Sequence, residues 1–350
     1  MHKIILDTDP GVDDAMAIAY AFAHPEIELL ALTTVFGNHS IEFTTRNAQY
    51  ILDTIGATNV SVARGASAPS VQSLRPYPDF VHGADGIGNV YPGSTPQKPA
   101  SQAVALDSDA RHAVIEDLDA ADFIIASARK HPGQITLVAV GPLTNIAEAY
   151  RREPELPALV AGLVLMGGAL DEPGNVTPLA EANFFNDPHA ADALLAADWS
   201  VTVVGLDVTH QIMISDSDLQ RLGDQAGKTG RLLRQSSRFY VDFYTSSGAA
   251  KFAVSQGAEP QCAMHDAAAI ACLLIPDAFV MQSGPSRVVP DGVAAGQLAM
   301  DRKGYVYATS HWQNRPDTHV CMTVDAARVL EHFLTTIIDN QDQGTGAGQR

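Results

Sequence analysis

The chain has 350 residues, 46% of them apolar, with 27 glycines and 20 prolines, a composition ordinary for a globular enzyme. Its formal charge is −18, from 22 basic and 40 acidic side chains, and no stripe of Lys and Arg with interleaved aromatics occurs. That balance counts against nucleic acid or an anionic membrane as a partner.

Three cysteines, Cys262, Cys272 and Cys321, form neither a CxxC pair nor a disulfide framework. No apolar run reaches membrane-spanning length, and no basic-then-apolar leader precedes Ile4. These features imply a soluble, cytoplasmic protein with reduced thiols.

Ile4-Ile5-Leu6 predicts a short buried strand, and residues 15–22 an alanine-rich helix that stops near His24-Pro25. A second strand is predicted over 28–35, a helix over 42–55 with Gly56 as its cap, and a third strand over 60–63. Residues 64–105 break the pattern, being rich in Pro, Gly, Ser and His. Tyr77, Phe80, Val81, Tyr91 and the His82-Gly83-Ala84-Asp85-Gly86 turn predict a packed loop there.

The alternation resumes with a helix over 120–130 and a strand over 135–140 that runs into Gly141-Pro142-Leu143-Thr144-Asn145 and another helix. A strand over 163–166 ends at Gly167-Gly168, and a helix over 188–197 leads into a strand over 201–207. Residues 216–256 and 266–274 read as helices, with strand-like pieces around Val288, 305–307 and 319–322. A last helix spans 326–338, and the Gly- and Gln-rich tail 341–350 is expected to be disordered. Buried strands alternating with crossover helices predict a single α/β domain over 1–340. Its sheet would be open, mostly parallel, Rossmann-like and flanked by helices.

Where the first strand ends, Asp7-Thr8-Asp9-Pro10-Gly11-Val12-Asp13-Asp14 puts four carboxylates into eight residues. Burying them without compensation costs far more than surface ion pairs return. A hard cation such as Ca²⁺ or Mg²⁺ would supply that compensation through oxygen ligands. Asp13 and Asp14 alone would suit a helix N-terminus, worth ~0.3–1 kcal/mol each at exposed positions. That account leaves Asp9 unexplained. Open α/β sheets place their sites at strand C-termini, and polar residues gather at those ends. Asn38 follows the second strand, Asn175, Glu181 and Asn183 follow the 163–166 strand, and His265-Asp266 opens a helix. Singly they read as turn residues, a loop histidine or a cap; together they read as a site for a metal and a polyhydroxylated ligand.

Over nearly its whole length the chain resembles the inosine-uridine-preferring nucleoside hydrolases. The marks are the Asp7–Ala15 segment, Gly37-Asn38, Gly141-Pro142-Leu143-Thr144-Asn145-Ile146-Ala147 and Leu165-Met166-Gly167-Gly168. Ala180-Glu181-Ala182-Asn183-Phe184, Asp187-Pro188 and His265-Asp266-Ala267 follow in the family order. The resemblance implies that Asp9, Asp14, Asp266 and the Val140 carbonyl hold Ca²⁺, with open positions for the ribose diol and a water. Val140 stands where related enzymes often have Thr, a change of little weight because the backbone supplies the ligand. The resemblance also makes Asp13 the general base and a ribose contact. By it, Asn38, Asn175, Glu181 and Asn183 would fix the sugar hydroxyls and Met166 would lie against the ribose, although on sequence alone Met166 is core packing.

On the base side, His265 resembles the family's histidine that serves the leaving group, and His82 is a second candidate. Arg238 and the aromatics near Phe239 and Tyr240 are further candidates. The substrate would be a ribonucleoside and the assembly a homodimer or homotetramer.

Three other readings compete. A phospho-aspartate enzyme shares an Asp-x-Asp strand end, but the Pro10-Gly11-Val12-Asp13-Asp14 continuation is wrong for it, and no suitable Lys follows a later strand. The glycines of Gly83-Ala84-Asp85-Gly86-Ile87-Gly88 do not form a dinucleotide fingerprint between a first strand and its helix. A non-catalytic nucleoside- or sugar-binding protein would not need Asp9, Asp13, Asp14 and Asp266 together.

Overall fold

Runs of β-branched residues and leucine, closed by Asp, Gly or Pro, become the strands. The computed structural model describes residues 1–93, 116–247 and 259–344. Its first six strands are β1 (His2–Thr8), β2 (Ile27–Thr34), β3 (Ser61–Arg64), β4 (Ile135–Ala139), β5 (Gly162–Met166) and β6 (Val201–Val204). The others are β7 (Met213–Ser215), β8 (Gln261–Ala263), β9 (Phe279–Val288), β10 (Leu298–Met300) and β11 (Asp317–Val324).

A nine-stranded sheet runs β10-β9-β11-β6-β5-β4-β1-β2-β3, with β7 and β8 paired apart from it. Every neighbouring pair from β11 to β3 is parallel, while β9 and β10 join antiparallel at one edge. Strand order reverses between β1 and β4, so the loops leaving them part in opposite directions. Such a switch point opens a crevice at the strand C-termini.

Alternation along β1 sends side chains to two cores. Ile4 and Leu6 pack with Met16, Ile18 and Tyr20, and Ile5 packs with Ile124, Leu137 and Ile146. The helix Val12–Ala23 begins at Gly11, which brings Asp13 and Asp14 into its first turn. Ile41–Ile55 ends at Gly56 in a left-handed conformation (φ 82°), as the glycine cap predicts. Ala120–Lys130 and His265–Leu274 form close to where their sequences place them. Among the described residues, no helix is long and apolar enough to cross a membrane.

Several expected elements differ. The strand predicted over 201–207 stops at Val204, because Gly205 turns the chain into the helical turn Leu206–Thr209. Residues 305–307 are exposed and form no strand. The Asp301 carboxylate accepts from the amides of Lys303 and Gly304 and from the Tyr307 hydroxyl, and so folds that stretch into a turn. The last helix runs to Gly344, into the segment expected to be disordered. The rest of that tail, residues 94–105 of the long loop and 248–256 of the expected helices lie outside the described residues.

Phe184 links the fold to the site. It is fully buried, and a Cβ on Gly167 or Gly168 would stand 2.6 or 2.7 Å from its ring. Its neighbour Asn183 is held by the same short helix, Ala182–Asn186. Phe184→Ala is expected to destabilise the chain by ~3–5 kcal/mol, measured by urea unfolding.

Candidate active site

The crevice at the β1/β4 switch point is filled by carboxylates. Asp9 follows β1 and sits between two glycines. A Cβ at Gly37 would stand 2.0 Å from Asp9 Oδ2, and one at Gly141 would stand 2.7 Å from Oδ1. Only glycine allows the backbone this close. The amide of Asn38 donates to Asp9 Oδ2 at 2.7 Å. Asp14 accepts at Oδ2 from the Gly11 amide (2.8 Å) and from Asn38 Nδ2 (3.0 Å), and at Oδ1 from the Thr8 hydroxyl. Asp14 therefore does help to cap its helix, while also facing the cluster.

Asp13, Asp14 and Asp266 each bring a carboxylate oxygen within 4.8 Å of the others. Asp266 comes from the first turn of His265–Leu274. Asp9 Oδ1 and Asp13 Oδ1 are buried with no hydrogen-bond partner, as is the deeper Asp7 Oδ1. Burial first, and then the charge of Asp14, pushes Asp13 up to about 8. Asp9 and Asp266 are raised too, by burial and then by neighbouring carboxylates, and Asp14 is raised by burial. An arrangement so costly as bare anions calls for positive charge at its centre.

A cavity of about 540 Å³ opens onto this cluster, lined there by Asp13, Asn38, Val140, Met166 and Asp266. One end carries Asn175, Glu181, Asn183 and Asn186; the other carries Phe80, His82, Tyr240, Phe243 and Tyr244, with His210 and His265.

Much of the polar end is internally bonded. Glu181 caps Ala182–Asn186 by accepting from the Asn183 and Phe184 amides, and also takes the Gly168 amide at 2.8 Å. Its burial raises the carboxyl to about 7. Asn183 Nδ2 donates to the carbonyls of Val140 (2.9 Å) and Met166 (3.1 Å). Asn175 accepts the Ala182 amide at 3.0 Å, which leaves its Nδ2 for a ligand. The nitrogen of the Asn38 carboxamide is likewise committed, to Asp14 and to the Asp9 carbonyl.

At the aromatic end, His82 stacks on Tyr240 with ring centroids 5.5 Å apart. Its Nδ1 accepts the Val12 amide at 3.3 Å, and burial holds the ring down to about 3, so it is neutral. Both nitrogens of His265 are engaged, Nδ1 with Thr209 Oγ1 and Nε2 with Tyr244 OH, each at 2.7 Å. Burial holds His265 well below the usual histidine range as well.

Two expected residues fall outside the site. Arg238 is exposed on the helix Gly227–Ser247 and does not line the cavity. Two residues correspond to about 200° around a helix, so the rotation that turns Tyr240 inward turns Arg238 to solvent. Phe239 also misses the cavity. Of the aromatics near Tyr240, Phe243 and Tyr244 line the cavity, three and four residues beyond it on the same face. The strand predicted over 201–207 gives no sign of Thr209 and His210, which the turn after Gly205 brings against His265. The same turn supplies Asp207, whose carboxylate accepts the amides of Leu170, Asp171 and Glu172 and fixes the loop leading to Asn175.

The strand-order reversal, the acidic cluster at that point and the cavity beside it suit a metal-assisted hydrolase, and comparison with known proteins gives the class, that of the nucleoside hydrolases. The family profile described as inosine-uridine preferring nucleoside hydrolase matches residues 4–331, and the chain belongs to that family. Uridine nucleosidase 1 of Arabidopsis thaliana is 37% identical over 96% of this chain and 93% of its own length. The inosine-uridine preferring nucleoside hydrolase of Crithidia fasciculata is 39% identical over 96% of both chains. Among solved structures, a plant nucleoside hydrolase superposes with a TM-score of 0.84 at 33% identity, covering 96% of this chain and 99% of its own. A purine-preferring ribonucleoside hydrolase from Gardnerella vaginalis gives 0.82 at 33% identity, covering 97% and 98%. The chain is accordingly an N-ribosyl hydrolase, and the non-catalytic reading is set aside.

The glycine pair flanking Asp9 yields a test. Gly37→Ala is expected to displace the Asp9 carboxylate and cut hydrolytic turnover by at least ~10-fold, the scale of about 1.4 kcal/mol in a barrier. Steady-state kinetics on a cleaved substrate checks this.

Proposed function

We propose that this protein hydrolyses the N-glycosidic bond of ribonucleosides, giving free nucleobase and ribose, with calcium in the acidic cluster. The observation that carries the reading is the pair of buried, unpartnered oxygens, Asp9 Oδ1 and Asp13 Oδ1, beside a cavity with a carboxamide end and an aromatic end. Asp9, Asp14, Asp266 and the Val140 carbonyl would hold the ion. The set is all oxygen, as a hard cation requires, and the Val140 carbonyl keeps a second lone pair beside its bond from Asn183. When bound, calcium would grip the vicinal ribose hydroxyls and help to polarise the attacking water.

The chain's own groups supply the rest. Asp13 lines the cavity with an oxygen that has no partner, and it takes the proton from the attacking water. As the base departs, the sugar gains oxocarbenium character, and the surrounding carboxylates stabilise that charge. With the diol at the cluster and the base at the aromatic end, the remaining ribose hydroxyl points to Asn175, Glu181 and Asn183. Met166 packs against the sugar and Asn38 holds Asp14 in place.

The nucleobase lies among His82, Tyr240, Phe243 and Tyr244. Burial raises the Tyr244 phenol well above its usual range, so it stays protonated. In this reading it donates a hydrogen bond to the departing base, with His265 and Thr209 behind it as a hydrogen-bond relay that directs its proton. His265 thus acts through Tyr244 rather than by direct contact. Free, buried Cys262, Cys272 and Cys321 support a reducing, cytoplasmic setting, where the reaction would serve nucleoside salvage or catabolism.

Ribose release from a panel of purine and pyrimidine ribosides and their 2′-deoxy counterparts, with and without a calcium chelator, tests the reading. Cleavage of ribosides that the chelator abolishes is expected. Deoxyribosides should be cleaved more slowly by the equivalent of ~1–3 kcal/mol, because a buried partner is left unpaired. Calcium-loaded protein that cleaves nothing in the panel would end the proposal.

The relay makes its own prediction. Tyr244→Phe and His265→Ala should each lower kcat, and the double variant should lose little beyond the larger single loss, because coupled groups are not additive. Independent, multiplying losses in a double-mutant cycle would show that the two do not act in series.

A further inference from the structure

The chemistry above uses Asp9, Asp13, Asp14 and Asp266 but leaves Asp7 and Asn145 without a role. Both belong to motifs at the switch point, both are buried (1% and 2% exposed), and neither lines the substrate cavity. Asp7 Oδ2 accepts from the Thr33 hydroxyl at 2.6 Å and from Asn145 Nδ2 at 2.8 Å. Asn145 Nδ2 also donates to the Thr34 carbonyl at 3.0 Å, and its Oδ1 accepts the Ala66 amide at 2.8 Å. The fit is tight, since a Cβ on Gly65 would stand 2.1 Å from Asn145 Oδ1. One side-chain pair thus ties the end of β1 to β2, to the chain leaving β3 and to the helix after β4.

Its position matters because the sheet stops there. Parallel pairing of β1 with β4 ends at Asp7 and Ala139, and pairing of β1 with β2 ends at Thr8 and Thr34. Asp9 and the Val140 carbonyl lie beyond those last rungs, on chains that are diverging. The Asp7 carbonyl accepts the Val140 amide at 2.8 Å, so Asp7 is joined by main chain to both.

We propose that Asp7 and Asn145 are positioning residues for the metal centre: a buried brace beneath the cluster that fixes the spacing of Asp9 from the Val140 carbonyl. This rests on the reading that calcium occupies the cluster. Neither residue touches the ion or the reacting atoms, so calcium affinity is the quantity the brace controls. Outer groups that orient metal ligands typically change affinity by ~10–100-fold.

The test is calcium affinity of the full chain, by competition with a fluorescent chelator well below the melting temperature, with thermal unfolding followed in parallel. Asn145→Ala is expected to raise the calcium Kd by ~10–100-fold. Asp7→Ala should do the same. Asp7→Asn keeps an oxygen for both donors and should bind calcium far more nearly as the parent does, because the brace works by hydrogen bonding rather than by charge. Thr33→Val removes one donor from Asp7 and gives a smaller loss in the same direction; it carries the test if Asn145→Ala does not fold. A folded Asn145→Ala or Thr33→Val chain with the parent's Kd would overturn the brace alone. A parent chain that binds no calcium would overturn the cluster reading and the brace with it. Variants that melt earlier yet bind calcium as the parent does would reduce the pair to a structural role.

Discussion

Mutual repulsion among buried carboxylates is the constraint on which this molecule is arranged. Asp9, Asp13, Asp14 and Asp266 come together where the sheet's strand order reverses, and nothing in an apolar core favours that meeting. The fold meets the cost first with geometry. Asp13 and Asp14 lie in the first turn of one helix and Asp266 in the first turn of another. The positive ends of two helix dipoles therefore converge on the cluster. Backbone and carboxamide donors from Gly11 and Asn38 then satisfy part of Asp9 and of Asp14. The oxygens left over are those that a cation would meet on the proposed reading.

The same reversal divides the cavity. The chain leaving β5 supplies Asn175, Asn183 and Asn186, the helix Gly227–Ser247 supplies Tyr240, Phe243 and Tyr244, and the long loop after β3 borders both groups, with His82 on Tyr240 and Arg75 on Phe185. On the proposed binding mode, a ligand held by its diol would turn its polar tail to Asn175 and Glu181 and its ring to Tyr240 and Tyr244, an orientation owed to topology more than to any single contact.

How much of this the sequence carried depended on the distance over which each feature is decided. The cluster was legible because a strand end, a tight turn and a helix start are local, and Asp7 to Asp14 spell all three. Parallel strands were legible from runs such as Leu163-Val164-Leu165-Met166. The aromatic end was not. Whether Arg238 or Tyr240 faces inward is set by the rotation of one helix, and neighbours distant in sequence fix that rotation. Thr209 and His210 were hidden by a Val-rich run that looked like a longer strand and in fact turns at Gly205. Tyr305-Val306-Tyr307 carried strand propensity without a partner strand, and propensity alone does not make a rung.

The two glycines pressed against Asp9 also have a historical meaning. Carboxylates can persist by chance, since Asp is an acceptable cap or turn residue in many settings. Gly37 is held to glycine by its own backbone as well (φ 154°), whereas the bare backbone at Gly141 answers to the Asp9 and Val35 side chains pressed against it. Were Asp9 to be lost, Gly141 would therefore be the more easily replaced of the two, and Gly37 would stay glycine for the sake of its turn.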